Sequence, residues 1–225
     1  MERSEVVQHL LNLHESSSYL EVGVNRGVTF RAVEAERKVA VDPEFLFDVP
    51  ESNGHEAYYE VVSDEYFGNM SLRETFNVVY LDGLHTFEQT LRDFTNAIEV
   101  IRDKGCILID DIKPNSYHAS LPSQHMAVKL RNGLGFGAKD KSWMGDTYRL
   151  LFFIQTFFQQ YSYATVADNH GQLVVWKKLR PAADIVERKV ESLGRYPFEK
   201  IVLEESAFNI MPMSEIIELI KKDQT

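Results

Sequence analysis

The chain has 225 residues, with 24 Lys and Arg against 34 Asp and Glu, which gives a formal net charge of -10. The length suits one α/β domain with additions, the acidic balance disfavours nucleic-acid phosphates and anionic membranes as partners, and a single cysteine excludes a disulfide within the chain. The first residues lack the apolar core of a secretory signal, and the most apolar run, residues 150–158, is about half the length of a membrane span. We therefore expect a soluble, cytoplasmic protein.

Apolar patterning along the chain predicts alternating helices and strands. An amphipathic helix comes first, followed by strands at 19–24, 38–42, 58–62, 76–82 and 105–111 and by helices at 31–37, 86–102 and 150–158. Several of these strands are nearly continuous apolar runs, which is typical of parallel strands covered by helices on both faces. Residues 161–166 and 172–177 flank turn-forming residues and predict a hairpin at the sheet edge. The fold class is therefore α/β, a doubly wound, seven-stranded and mostly parallel sheet with six parallel strands.

The predicted domain organisation is simple. Residues 1–180 form the domain, with a helix at its N-terminal end, and residues 181–225 form a charged, helical C-terminal extension. The extension carries no obvious active group. It is suited to packing or to forming a homodimer.

Two glycines follow the first predicted strand, in the sequence E-V-G-V-N-R-G that begins at Glu21. Gly23 and Gly27 would let the backbone pass close to a ligand, and the following helix offers its N-terminal amides. Asn25 occupies the position of the second glycine in a dinucleotide fingerprint, which counts against NAD. The spacing E-x-G-x-x-x-G resembles the first motif of class I methyltransferases that use S-adenosylmethionine, although a tight turn would also explain it.

Two acidic residues farther along are candidates for contacts with a nucleoside. Asp42 ends the second strand, where a carboxylate can accept both hydroxyls of a ribose; a turn cap beside Pro43 is the alternative. Its separation of about 20 residues from the glycine turn favours the ribose. Asp64, after the third strand, is placed either to meet an adenine edge or to cap a helix.

The fourth and fifth strands end in Y-L-D-G-L-H, which contains Asp82 and His85, and in L-I-D-D-I-K-P, which contains Asp110 and Asp111. With these motifs, residues 19 to about 149 resemble class I methyltransferases, and within them a small family with a D-G-x-H turn that is related to metal-dependent O-methyltransferases. The resemblance implies a Rossmann-like methyltransferase fold and S-adenosylmethionine as cofactor. The predicted cofactor contacts are Glu21, Gly23, Asn25, Gly27, Asp42, Asp64 and Asp82.

The resemblance also implies a cation site. The related O-methyltransferases bind Mg²⁺ with an acid after the fourth strand and an acidic or amide pair after the fifth, positions that Asp82, Asp110 and Asp111 occupy here. Oxygen ligands suit Mg²⁺. Three converging carboxylates would favour either a cation or a proton held with a raised pKa. Acids that cap turns and face water are the alternative.

His85 is the predicted general base, because the catechol-type relatives have a lysine base at the matching place. Its ordinary pKa near 6.5 lets a neutral imidazole accept a hydroxyl proton at pH 7. A cap on the following helix or a hydrogen bond to Asp111 is the alternative. The other loop histidines, His118, His125 and His170, are expected to be solvated.

The stretch from residue 113 to residue 146 is rich in glycine and proline, and we expect a substrate loop there. His125, Trp143 and Asp146 are candidates for an acceptor pocket, although Trp143 could instead anchor the next helix. The predicted reaction is methyl transfer from S-adenosylmethionine to a hydroxyl, or less readily an amine, of a small molecule or sugar, with Mg²⁺ assisting. An NAD-dependent oxidoreductase and a catalytically silent nucleoside-binding or scaffold protein of the same fold are the alternatives.

Overall fold

The structure is a computed structural model that describes residues 1–69, 74–135, 141–181 and 189–224. Within these residues a single sheet contains β1 (Ser18–Val22), β2 (Arg37–Val41), β3 (Glu56–Tyr59), β4 (Phe76–Leu81), β5 (Ile101–Ile109), β6 (Tyr161–Val166), β7 (Leu173–Lys177) and β8 (Ile210–Met211). The helices are α1 (Arg3–Leu11), α2 (Val28–Ala32), α3 (Ser63–Asn69), α4 (Phe87–Val100), α5 (Gln124–Gly133), α6 (Arg149–Phe157), α7 (Val190–Leu193), α8 (Glu199–Leu203) and α9 (Met213–Asp223).

The strands lie in the order β3-β2-β1-β4-β5-β7-β6-β8. The first five strands pair in parallel, β7 pairs antiparallel with both β5 and β6, and β8 pairs in parallel with β6. This arrangement confirms the predicted doubly wound α/β class. The described sheet has eight strands where seven were predicted, because the tail contributes β8. That strand covers β6, so the predicted hairpin does not form the sheet edge.

Each face of the sheet is covered by a hydrophobic layer. In β4, Val79 and Leu81 pack with α4 and α6 on one face, while Val78 and Tyr80 pack with α1, α2 and α9 on the other. Successive side chains of a strand point to opposite faces. Since both faces are covered, the strand is apolar throughout, and this explains the continuous runs in the sequence.

The predicted helix over residues 31–37 is wrong. Helix α2 ends at Ala32, and β2 begins at Arg37. The side chain of Gln8 in α1 binds the backbone of Glu34 twice, accepting from its N–H at 2.8 Å and donating to its carbonyl at 3.1 Å. This contact with α1 uses backbone groups that a longer helix would need, so tertiary structure overrides local helix preference.

The C-terminal segment is joined closely to the sheet. In α9, Met213, Ile216 and Ile220 are buried in the layer that contains α1, and Trp176 of β7 donates to Asp223 at 2.9 Å. The boundary near residue 180 remains a prediction, and residues 182–188 and 225 lie outside the described part. Across the described residues, no helix combines the length and the apolar character that spanning a bilayer requires.

Candidate active site

A cavity of about 890 Å³ opens at the carboxyl ends of β1, β2 and β4. The strand order changes direction between β1 and β4, and ligands of doubly wound sheets bind at this point. Several of the residues predicted from the sequence line the cavity: Glu21, Gly23, Asn25, Asp42, Asp82 and His85. These residues come from separate segments that the sequence places only at strand ends, and the sheet topology brings them together around one cavity.

Gly23 makes a backbone approach that no other residue could make. It has φ +89°, and a Cβ built on it would lie 2.0 Å from the carbonyl oxygen of Asp82. The turn after β1 therefore passes directly against the turn after β4. Gly27 also has positive φ, +70°, and precedes α2, but among the described residues it is not part of the cavity wall.

Asp42 holds the turn after β1 to the turn after β2. One carboxylate oxygen accepts from the N–H of Asn25 at 2.8 Å, and the other accepts from the N–H of Glu44 at 2.9 Å. The cap that the sequence left as an alternative is thus present. Each carboxylate oxygen has a further acceptor site, and Asp42 lines the cavity, so the cap leaves room for a ligand contact.

Glu21 is a buried acid on the cavity wall. Burial raises the pKa of its carboxyl to about 8, against the hydrogen bond from Tyr19 and the charge of Lys38, which favour ionisation. The Tyr19 hydroxyl donates to it at 2.5 Å. A group with this pKa is mostly protonated at pH 7, and a cationic ligand beside it would favour its ionised form.

Asp110 lies behind the cavity and is bound on both sides by the protein. One oxygen lies 2.6 Å from Nε of Arg3 in α1, and the other lies 2.7 Å from Nε2 of His170 in the β6–β7 turn. Burial alone would raise the pKa of Asp110, but His170 and Arg3 outweigh it and hold the pKa at about 2. Arg3 was not predicted from the sequence and His170 was expected to be solvated, because a contact across the fold leaves no local pattern.

His85 sits between two carboxylates. Its Nδ1 lies 2.8 Å from an oxygen of Asp111, and its Nε2 lies 3.6 Å from an oxygen of Asp82. Its ring stacks on Trp143 with a 4.7 Å centroid separation. Burial alone would lower the pKa of His85, but the hydrogen bond and charge of Asp111 raise it above its ordinary value. The hydrogen bond to Asp111, one of the predicted alternatives, is therefore present.

Asp64 lies away from the described cavity wall. Its carboxylate accepts from Gln89 at 3.2 Å and Arg92 at 3.3 Å, so it joins α3 to α4. The neighbouring Val62 and Ser63 line the cavity instead. An adenine contact by Asp64 remains a prediction that would need these hydrogen bonds to rearrange.

The expected irregular loop contains helix α5, whose N-cap Ser123 accepts from the N–H of Met126. Residues 136–140 lie outside the described part. Trp143 lines the cavity, but the described wall includes neither His125, which is exposed on α5, nor Asp146. Asp146 is buried and accepts from the N–H of Phe87 at 2.8 Å, so it caps α4. His118 is buried, which corrects the expectation that it is solvated.

The predicted Mg²⁺ ligands lie at neighbouring strand ends, yet not all of their carboxylate oxygens are without a protein partner. Both oxygens of Asp110 are bound by Arg3 and His170, so a metal ion at Asp110 would have to share these oxygens with the two basic side chains. Donor atoms of Asp82, His85 and Asp111 lie within 4.8 Å of one another, and so do those of Asp110, Asp111 and His170. Asp82, Asp110 and Asp111 do not together form such a group among the described residues, and the use of Mg²⁺ remains a prediction.

Comparison with known proteins shows which family model the sequence matches and which solved structures have a similar fold. Residues 20–112 match the sequence model of a family described as a methyltransferase domain; no curated protein matches the chain. The fold is similar to that of a Bacillus cereus O-methyltransferase solved with SAH, with 12% identity, TM-score 0.51, and coverage of 79% of this chain and 82% of that one. It is also similar to a Staphylococcus aureus protein assigned as a caffeoyl-CoA O-methyltransferase, with 10% identity, TM-score 0.52, and coverage of 79% and 84%. At these identities the structures share a fold, which agrees with the predicted class.

Proposed function

We propose that the protein transfers a methyl group from S-adenosylmethionine to a hydroxyl group of a small molecule, and the match of residues 20–112 to the model of a methyltransferase domain supports this. The observation that carries the proposal is the cavity at the switch point of the sheet. There the backbone turn at Gly23 and the Asp42 carboxylate both line a space of about 890 Å³, a volume typical of cofactor sites.

The cofactor lies over the turn after β1 in this proposal. Asp42 accepts the ribose hydroxyls through the acceptor sites that its two backbone N–H contacts leave open. Glu21 and Asp82 form the acidic part of the wall, which suits the cationic end of the cofactor. S-adenosylmethionine supplies a methyl group on a sulfonium, and loss of that positive charge on transfer leaves the neutral thioether of S-adenosylhomocysteine.

The chain's own task is to position the acceptor oxygen in line with the methyl carbon. Positioning of this kind contributes roughly 7–11 kcal/mol to lowering a barrier. His85 accepts the hydroxyl proton at Nε2, and Asp111 fixes the ring from the other nitrogen at 2.8 Å. Since its pKa is raised, we expect the rate to increase with pH up to a value above 6.5.

The acceptor enters on the side of the cavity formed by Leu84, Trp143, Gln124 and Lys141. An exposed leucine and a tryptophan ring suit an acceptor with an apolar or flat body, while the amide and ammonium groups offer polar contacts. A sugar hydroxyl is one such acceptor, and an amine is a less suitable one because His85 is placed to remove a hydroxyl proton. The proposal also includes a homodimer that forms through the C-terminal helices.

Titration calorimetry tests the cofactor directly, with S-adenosylhomocysteine and NAD added separately. We expect S-adenosylhomocysteine to bind and Asp42→Ala to weaken it at least tenfold, since a carboxylate hydrogen bond contributes about 1.5–3 kcal/mol. Asp48→Ala, exposed in the loop after β2, serves as the matched control. Binding of NAD alone would indicate the oxidoreductase, and binding of neither would indicate the scaffold protein.

A further inference from the structure

The first helix places a cation at the carboxylate cluster. Val6, Val7 and Leu10 of α1 are completely buried against the sheet, so the helix is fixed in position. Arg3, in its first turn, extends to the ends of β4 and β5 and contacts Asp110 at 2.6 Å and Asp111 at 4.0 Å. Its side chain is 44% exposed, whereas that of Asp110 is 1% exposed, and Arg3 also lines the cavity.

The cluster needs positive charge. Neighbouring carboxylates repel one another, and the repulsion is stronger where burial lowers the effective dielectric constant. Nitrogens of Arg3 and His170 lie 2.6 Å and 2.7 Å from the two oxygens of Asp110. The basic side chains therefore act mainly on Asp110.

We propose that Arg3 is the resident cation of this carboxylate cluster and that its guanidinium occupies the place where Asp110 would otherwise bind a divalent ion. Only the role of Arg3 in catalysis rests on the proposed function; its place in the carboxylate cluster does not. Arg3 acts there as a positioning residue: it holds Asp110, and through the adjacent Asp111 it fixes the hydrogen bond that orients His85.

Arginine suits this place better than lysine would. The guanidinium stays charged at every working pH and carries five N–H donors in a fixed plane. One donor engages Asp110, and the group remains near enough to Asp111 for an ionic contact. A lysine could supply the charge but not the fixed orientation.

Binding of Mn²⁺, followed by electron paramagnetic resonance on the full chain, tests the proposal. We expect weak binding to the parent protein and binding at least about tenfold tighter to Arg3→Met, because removing the guanidinium frees an oxygen of Asp110 and unbalances the cluster by one charge. Arg3→Lys should keep Mn²⁺ binding weak. Arg26→Met, which removes a cation elsewhere on the cavity wall, should change Mn²⁺ affinity less than threefold.

The double variant Arg3→Met/Asp110→Asn locates the new site, because the gained Mn²⁺ affinity should disappear with the carboxylate. Tight Mn²⁺ binding by the parent protein that Arg3→Met leaves unchanged would overturn the proposal. If Arg3→Met does not fold, Arg3→Ala, which also removes both the charge and the hydrogen-bond donor, should show the same gain. S-adenosylhomocysteine titrated into the parent protein reports on the proposed function separately: its failure to bind would remove the methyltransferase assignment, while the Mn²⁺ comparison would still report on Arg3.

Discussion

Gly23 sets how closely the turns after β1 and β4 approach. A methyl group added there would lie 2.0 Å from the Asp82 carbonyl oxygen, at φ +89°. We expect Gly23→Ala to lower the free energy of unfolding by more than about 2 kcal/mol and to abolish binding of S-adenosylhomocysteine, because the backbone must move and the residue is strained. Urea unfolding and calorimetry measure the two effects.

The control is Gly54→Ala, since a Cβ at Gly54 meets nothing within 4 Å. We expect it to change stability by less than about 0.5 kcal/mol. Equal effects of the two substitutions would show that the approach of the turns does not constrain residue 23.

Glu21 makes stability depend on pH in a definite direction. Its pKa is raised from 4.5 to about 8 in the folded protein, so the folded state holds a proton that the unfolded chain releases. The contribution of Glu21 to the free energy of unfolding is fully present below pH 4.5 and is lost as the pH rises to about 8. Glu21→Gln, which mimics the protonated form, should remove this fall. Urea unfolding at pH 5, 6, 7 and 8 measures it.

Glu60→Gln is the control for charge removal alone, because Glu60 is exposed. It should leave the pH dependence of the parent protein intact. If Glu21→Gln shows the same slope as the parent protein between pH 5 and 8, Glu21 is ionised in the folded state.

At the scale of the element, α9 depends on its buried face. Ile216 is completely buried, whereas Leu219 in the same helix is 36% exposed. We expect Ile216→Ala to lower the free energy of unfolding by about 2–5 kcal/mol, through lost apolar burial and the cavity it leaves. Leu219→Ala should have a clearly smaller effect. Similar small effects from both would mean that α9 contributes little to the fold.

Burial of both sheet faces made the strands predictable. In β4 the apolar run is long enough to define its own ends to within a residue or two, and the structure confirms the predicted bounds of β4 and β6 to this precision. Helix α2 was not predictable, because Gln8 is far away in sequence from the backbone at Glu34 that it binds. Helix α5 did leave a signal, the Ser123 N-cap, which the glycines and prolines around it obscured.

The site was predictable only where topology alone brings residues together. Strand ends meet in a parallel sheet, so the convergence of Asp82 with Asp110 and Asp111 followed from the strand pattern. Arg3 and His170 were not predictable. Each reaches Asp110 from more than 50 residues away in sequence, and neither has a local motif that indicates its partner.

At the scale of the whole molecule, we expect one cooperative unfolding transition. The two tryptophans report on different places: Trp143 stacks on His85 beside the cavity, and Trp176 lies in β7 and bonds to α9. The sheet links both places, so Trp143→Phe and Trp176→Phe should each unfold in urea with a single fluorescence transition that coincides with its own circular dichroism. Two separated transitions would show that the C-terminal segment unfolds independently.

The position of β7 between β5 and β6 has a consequence for biosynthesis. When β5 leaves the ribosome, its outer edge has no partner until Leu173–Lys177 has been translated. At roughly 5–20 residues per second, the nascent chain carries this bare edge for several seconds. An unpaired apolar strand edge invites association with other chains, so we expect chaperone dependence during translation to be concentrated in that interval.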